Sequence, residues 1–179
     1  MIPTVILGEA EEACFYRIIS PAYAGTPLSG AGAARQGGRF NRAGQEALYL
    51  SKDETTALAE YQQDNPWLPP GMICTFFIRK LRVADFSTGF DAEKWPPLWA
   101  DFTVDWRAAW FDQSVEPPTW YMADDVVAEG LDGIIFPSQA LPGGTNLVIY
   151  QNSVRPATQL RVYDPEGTLR EIAASPPSQ

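Results

Sequence analysis

Histidine is missing from all 179 residues. Its absence excludes Ser-His-Asp triads, Cys-His dyads and histidine-ligated zinc or iron. Cysteine is scarce. Cys14 and Cys74 are the two, each inside an apolar stretch, and no Cys-x-x-Cys occurs. They read as buried, reduced thiols rather than as a disulfide or a metal site. Basic residues are few, with 13 Lys and Arg against 22 Asp and Glu, and the net charge is −9. A broad nucleic-acid face needs clustered Lys and Arg, so none is expected; an acidic surface better suits a basic protein partner. No apolar run reaches membrane-spanning length. Met1 to Ala10 has neither the basic start nor the long apolar core of a secretory signal, and a cytoplasmic protein is the expectation. Gly-x-Gly-x-x-Gly and Walker-type Gly-Lys-Ser/Thr are also missing. Any chemistry must therefore run on Glu, Asp, Arg, Tyr, Ser, Lys or backbone groups.

What is present is an ordinary globular composition, 45% hydrophobic and 20% charged. The length suits one domain with a real core. The expectation is a single domain over residues 1–172 and a disordered tail over 173–179. Ala13 to Ile19 reads as a first strand, broken by Arg17. Pro21 to Gly38 is rich in Gly, Ala, Ser and Pro and reads as a long loop. Ala47 to Leu50 is a short strand. Ser51-Lys52-Asp53-Glu54 has the form of a capping box, and the helix after it buries Ala57, Leu58 and Tyr61 with Glu60 at the margin. That helix stops before Asn65-Pro66. Met72 to Leu81 is the clearest strand, and Val83 to Phe86 continues it after a bend.

Lys94 to Trp120 differs in texture. Five tryptophans stand there among Pro and Asp, and it reads as an inserted, partly helical subdomain with Val104 to Phe111 as its best helix. Tyr121 to Glu129 is a helix ended by Gly130. Gly133 to Phe136 and Asn146 to Gln151 are strands. Leu160 to Tyr163 and Thr168 to Arg170 flank a turn as a hairpin. The whole is an α+β pattern, a curved and mostly antiparallel sheet with a few helices at its side.

Five residues stand out as chemistry. Arg39 follows the paired glycines of Gly37-Gly38-Arg39-Phe40-Asn41, which let the backbone turn tightly and approach a ligand. Its guanidinium there is either a phosphate clamp or a solvated turn residue. Arg17 is a charge inside an apolar strand, so it faces solvent or points into a cleft beside Arg39. Alternation puts Tyr49 opposite Leu48 and Leu50, as a core tyrosine or as a ring that stacks on a flat heterocycle. Glu60 is either the edge of a solvated helix face or a carboxylate that stabilises an oxocarbenium-like transition state. Ser138 ends an apolar strand. With no histidine to activate it, a binding role suits it better than a nucleophilic one. Asn146 and Asn152 read as loop-fixing residues. Taken together, the arginines, the tyrosine and the glutamate suit a site that grips a phosphorylated dinucleotide and breaks a glycosidic bond.

In order and spacing, Phe15-Tyr16-Arg17-Ile18, Gly37-Gly38-Arg39-Phe40-Asn41, Ala47-Leu48-Tyr49-Leu50-Ser51, Ala57-Leu58-Ala59-Glu60 and Phe136-Pro137-Ser138, with Pro142-Gly143-Gly144-Thr145-Asn146 behind, resemble the RES-domain proteins. These are toxins of a bacterial toxin–antitoxin class. The resemblance implies an ADP-ribosyltransferase-like fold that consumes NAD as substrate without a metal. It implies that Arg17 and Arg39 bind the NAD phosphates and ribose, and that Tyr49 packs on the nicotinamide side. It also makes Glu60 the catalytic carboxylate and Ser138 a further pocket residue. The acceptor of ADP-ribose stays open among a protein side chain, phosphate and water. The implied partner is a cognate helix-turn-helix (Xre-type) antitoxin that blocks the cleft in a hetero-oligomer and makes any DNA contact itself. The long Trp-rich stretch departs from the family pattern and reads as a target-binding element or a lid. A non-catalytic NAD- or protein-binding module on the same fold is the rival reading.

Overall fold

Gly133-Ile134-Ile135-Phe136-Pro137 and Thr145 to Tyr150 are almost unbroken apolar runs, and runs of that kind belong to strands covered on both faces. The computed structural model describes residues 2–63, 65 and 67–169, and in it these two segments lie in the middle of one eight-stranded sheet. In chain order the strands are β1 (Thr4–Leu7), β2 (Ala13–Ile19), β3 (Ala47–Ser51), β4 (Met72–Arg79), β5 (Leu81–Asp85), β6 (Gly133–Pro137), β7 (Thr145–Tyr150) and β8 (Gln159–Val162). Across the sheet they run β1-β5-β6-β7-β3-β2-β4-β8. Among the described residues only β5 and β6 are parallel neighbours; the other pairs are antiparallel. The fold is α+β, a curled mixed sheet with a few helices at its side.

The two faces of the sheet carry two cores, and strand alternation assigns the residues. Ile134, Phe136, Val148 and Tyr150 join Phe40, Phe86, Trp95, Trp99 and Phe102 on one face. Ile135, Leu147 and Ile149 join Phe15, Leu48, Leu50, Phe76 and Ile78 on the other. The helix α3 (Pro118–Ala128) covers the first face through Met122, Ala123 and Val126. Gly130 follows it at φ +70°, the backbone region open to glycine.

The sheet is nearly split. β2 and β3 are joined at a single register pair, Tyr16 with Ser51, whereas β2 and β4 are paired along seven positions from Ala13 with Ile78 to Ile19 with Met72. Five strands lie on one side of that seam and three on the other. The helix α2 (Glu54–Gln62) follows β3 directly, so it stands at the seam.

Several local expectations change. A strand, β1, precedes Ala13. The Pro21–Gly38 stretch is not all loop, because it contains a 3-10 turn (Pro21–Tyr23) and a short helix α1 (Ala31–Gln36); alanines at 31, 33 and 34 favour that turn despite the glycines. The cap of α2 is Asp53, not Ser51. Asp53 Oδ1 accepts from the Thr56 N–H at 2.8 Å and Oδ2 from the Thr56 hydroxyl at 2.8 Å. Asp and Ser cap about equally well, but Ser51 is retained by β3. The face that α2 buries carries Thr56 and Ala57, while Leu58 is exposed.

The bend between β4 and β5 falls at Lys80, φ +56°. Lys94 to Trp120 supplies the core with Trp95, Trp99, Phe102 and Trp120 rather than standing off as a subdomain. It forms a 3-10 segment (Pro97–Thr103) and a π-turn (Ala108–Asp112) where one helix over Val104 to Phe111 was expected. β8 pairs with β4; Thr168 and Leu169 are helical, so they do not return as a hairpin strand, and Arg170 lies outside the described residues. So does the expected tail over 173–179, whereas α2 ends at Gln62, before Asn65 as expected. Cys74 is buried and Cys14 only partly so, and both are free thiols.

Candidate active site

The Gly37–Asn41 loop is held from three directions. Gly37 takes φ +84°, and a Cβ on Gly38 would lie 2.5 Å from Asn41 Oδ1 and 2.7 Å from the Tyr49 hydroxyl. Both glycines are therefore needed, the first for its backbone angle and the second for space. The Tyr49 hydroxyl accepts from the Phe40 N–H at 3.0 Å and donates to Asn41 Oδ1 at 2.8 Å. The fully buried Asn41 amide in turn donates to the carbonyls of Ala33, Arg42 and Gln45. The Trp120 indole donates to the Gly38 carbonyl at 2.8 Å. Arg42 grips Glu116 with two bonds, at 2.9 and 3.0 Å, and Asp124 with a third at 2.7 Å, which ties the loop to α3.

This frame presents Arg39. Its Nη1 donates to the carbonyls of Phe102 at 2.9 Å and Val104 at 3.2 Å, and its Nη2 to Gln139 Oε1. The guanidinium also lies 5.5 Å from the Phe102 ring centre. Burial lowers its pKa, and the nearby Tyr49 and Glu60 partly offset that. Arg17 projects from β2, and its Nη1 donates to the carbonyls of Pro27 at 3.3 Å and Ser29 at 3.2 Å. Burial lowers its pKa as well. Both arginines thus brace loops while lining one cleft of about 710 Å³, inside the range of roughly 300–1,000 Å³ usual for ligand sites.

Glu60 lines the same cleft. Its Oε1 accepts from the Ser138 hydroxyl at 2.7 Å and from Asn146 Nδ2 at 2.6 Å. Asn146 is itself oriented by Ser51, whose hydroxyl donates to Oδ1 at 2.9 Å. The Ser138 oxygen accepts from the N–H groups of Ala140 and Leu141 at 3.2 and 3.0 Å. So β3, α2, β6 and β7 meet at one carboxylate. One oxygen is fixed by two donors, while Oε2 has no hydrogen-bond partner among the described residues.

The structure brings Arg17, Arg39, Tyr49 and Glu60 to one cleft. Ser138 sits behind Glu60 rather than on the cleft wall. Tyr49 lines the cleft with part of its ring, and its hydroxyl is used by the loop. Burial of that phenol raises its pKa, so it stays a neutral hydrogen-bond donor. Asn146 was not expected: it fixes Glu60, not a loop. Its position just after Gly143-Gly144, where β7 leaves a turn, was the available signal. Ser51 was not expected as a site element, whereas the stretch read as a target-binding element or a lid lends Thr103, Asp105, Trp106, Arg107 and Phe111 to the cleft lining. Among the described residues no group of three or more His, Cys, Asp or Glu is placed to hold a metal ion, and no helix is long and apolar enough to cross a membrane.

The chain matches the RES domain over residues 15–170. No curated protein matches it. Among solved structures it is similar to the M. tuberculosis MbcT-MbcA toxin-antitoxin complex, with a TM-score of 0.56 and 20% identity, over 95% of this chain and 92% of that one.

Proposed function

This chain belongs to the RES-domain family, and from that premise we propose that it is the toxin of a toxin–antitoxin pair and that it cleaves the nicotinamide–ribose bond of NAD. The observation that carries the reading is the fixed carboxylate. Glu60 is held by Ser138 and Asn146 through one oxygen, in a cleft that Arg17 and Arg39 also line. Both arginines keep Nε, and Arg17 also keeps Nη2, free of partners among the described residues, so each can take a phosphate oxygen of a pyrophosphate. The open Oε2 of Glu60 can accept from a ribose hydroxyl and face the positive charge that grows at the anomeric carbon.

Nicotinamide in NAD is a cationic leaving group. When the C1′–N1 bond breaks, its electron pair goes to N1 and neutral nicotinamide departs. No general acid has to protonate it, in keeping with a site built without histidine. An acceptor lone pair then bonds to C1′ and the acceptor loses its proton. A protein side chain, phosphate and water all complete the same balance, and they define a transferase, a phosphorylase and a glycohydrolase. What the protein must supply is orientation, charge stabilisation and exclusion of stray water. NAD enters as substrate and no metal is required.

The partner in this reading is a cognate antitoxin of the helix-turn-helix (Xre-type) class, which covers the cleft in a hetero-oligomer in the cytoplasm. The structural neighbour is a toxin-antitoxin complex, which supports that assignment. DNA contact would fall to the antitoxin, since this chain is acidic.

The test is incubation of the antitoxin-free protein with NAD, with and without phosphate and with cell lysate, with products followed by mass spectrometry. Nicotinamide release is the expected result. ADP-ribose, its 1″-phosphate or an ADP-ribosylated lysate protein identifies the acceptor. Folded protein that leaves NAD intact in every arm would overturn the reading in favour of a non-catalytic binding module.

A further inference from the structure

The π-turn Ala108–Asp112 is the part of the cleft that bond cleavage at Glu60 leaves unused. Gln113 N–H closes it on the Ala108 carbonyl at 3.1 Å, a bond between residues five apart. In an α-helix, residues five apart diverge by roughly 140° around the axis; a π-turn brings them onto one face. Such turns occur frequently at functional sites. Trp106 stands two residues before the turn and Phe111 within it, their ring centres are 6.1 Å apart at 53°, and both line the cleft. Trp106 is buried, while Phe111 is 53% exposed. The Arg107 guanidinium lies 4.8 Å over the Trp106 ring and donates to Gln63 Oε1 at 2.8 Å, which pins the rim of the ledge to the end of α2.

We propose that this Trp106–Phe111 ledge, with Arg107 at its rim, is the subsite for the purine ring of the dinucleotide. The ligand's identity rests on the NAD reading above. Three observations favour a flat heterocycle there. An open aromatic face is what a nucleobase stacks on. The ledge belongs to the same cleft as Glu60, so a ligand cleaved at one end can reach it with the other. The charges suited to phosphates, Arg17 and Arg39, line the cleft separately, and the apolar ring of Phe111 is left for an uncharged group. The ledge therefore sets a preference for adenine-bearing ligands over nicotinamide mononucleotide.

The test is a calorimetric titration of the full chain with adenosine monophosphate and, separately, with nicotinamide mononucleotide. It uses the wild type, Phe111→Ala and Phe111→Trp. Phe111 is exposed, so both variants are expected to fold, and circular dichroism checks this. The expected result is an adenosine monophosphate Kd about tenfold weaker in Phe111→Ala, the scale of one lost base–aromatic stack. Phe111→Trp restores it, and nicotinamide mononucleotide binds all three alike. Equal adenosine monophosphate affinity in wild type and Phe111→Ala, or no binding by the wild type, overturns the subsite and returns the exposed ring to a protein contact. The titration needs no turnover. Failure of the subsite therefore shows here, and failure of the NAD reading shows separately as intact NAD.

Discussion

The two walls of the cleft are built on opposite plans. On the Glu60 wall the polar atoms are locked by short hydrogen bonds, from Ser51 through Asn146 to Oε1 and from Ser138 to the same oxygen. On the aromatic wall, Phe111 stands half in solvent and the rim is pinned by the Arg107–Gln63 bond. The first wall is drawn from four elements, β3, β6 and β7 on one side of the seam and the helix α2 that follows β3; the second is drawn from one irregular segment. The difference fits a division of labour. A group that faces developing charge must be fixed to a fraction of an ångström, whereas a stacking surface tolerates displacement along the ring plane. Arg39 joins the two, since it donates to the Phe102 and Val104 carbonyls of the aromatic segment and to Gln139 beside Ser138.

Substitutions on each side can break or sharpen this contrast. On the rigid wall, Asn146→Ala removes one of the two donors to Glu60 Oε1 and frees the carboxylate to swing. The expected loss is about 10²-fold in kcat for nicotinamide release, with NAD affinity nearly retained; a change confined to KM would contradict the positioning role. Next, Gly38→Ala forces a Cβ against Asn41 and Tyr49. A destabilisation of about 1–3 kcal/mol is expected, read as a drop in Tm of roughly 2–4 °C per kcal/mol. An unchanged Tm would show that the loop has slack. Between the walls, Arg39→Lys cannot reproduce the fork onto two carbonyls and Gln139. KM for NAD should rise about tenfold while the fold persists, as followed by steady-state kinetics; wild-type kinetics would mean that the strut is dispensable.

The smallest effect is expected from Tyr49→Phe, which loses the bonds to Phe40 and Asn41 at a cost of about 1 kcal/mol. This change also has a pH signature. Burial holds the Tyr49 phenol protonated above its ordinary range of about 10. Unfolded chains ionise first as pH rises, so this contribution is complete below about pH 10 and is lost above it. Chemical denaturation across alkaline pH should show a shallower decline in the variant than in the wild type.

How much of this was legible from residues alone depended on where the information lies. Regular strands announced themselves: Ala13–Ile19 was read to the residue, and Tyr49 opposite Leu48 and Leu50 followed from alternation. Glycine pairs and charges in apolar stretches picked out Arg17, Arg39 and Glu60, because those features are locally costly unless used. Asn146 was misread because its partner lies on a different element, 86 residues away in sequence, and nothing local marks such a bond. The Asp53 cap was overlooked because Ser51 also fitted the capping pattern. The Trp-rich segment reads as an inserted, partly helical subdomain because no single helical or strand period runs through all of it. Its regularities are 3-10 and π, which place residues three and five apart on one face and so escape a 3.6-residue template.

The most direct test of the central claim is a rate comparison. Wild type and Glu60→Gln, matched by circular dichroism and by NAD affinity from calorimetry, would be followed for nicotinamide release from NAD. The amide keeps the shape of the side chain and its bond from Ser138 but removes the negative charge that the proposed reaction sets against the anomeric carbon. Turnover is expected to fall by about 10³-fold or more with binding nearly unchanged. Equal rates in the two proteins would contradict the claim.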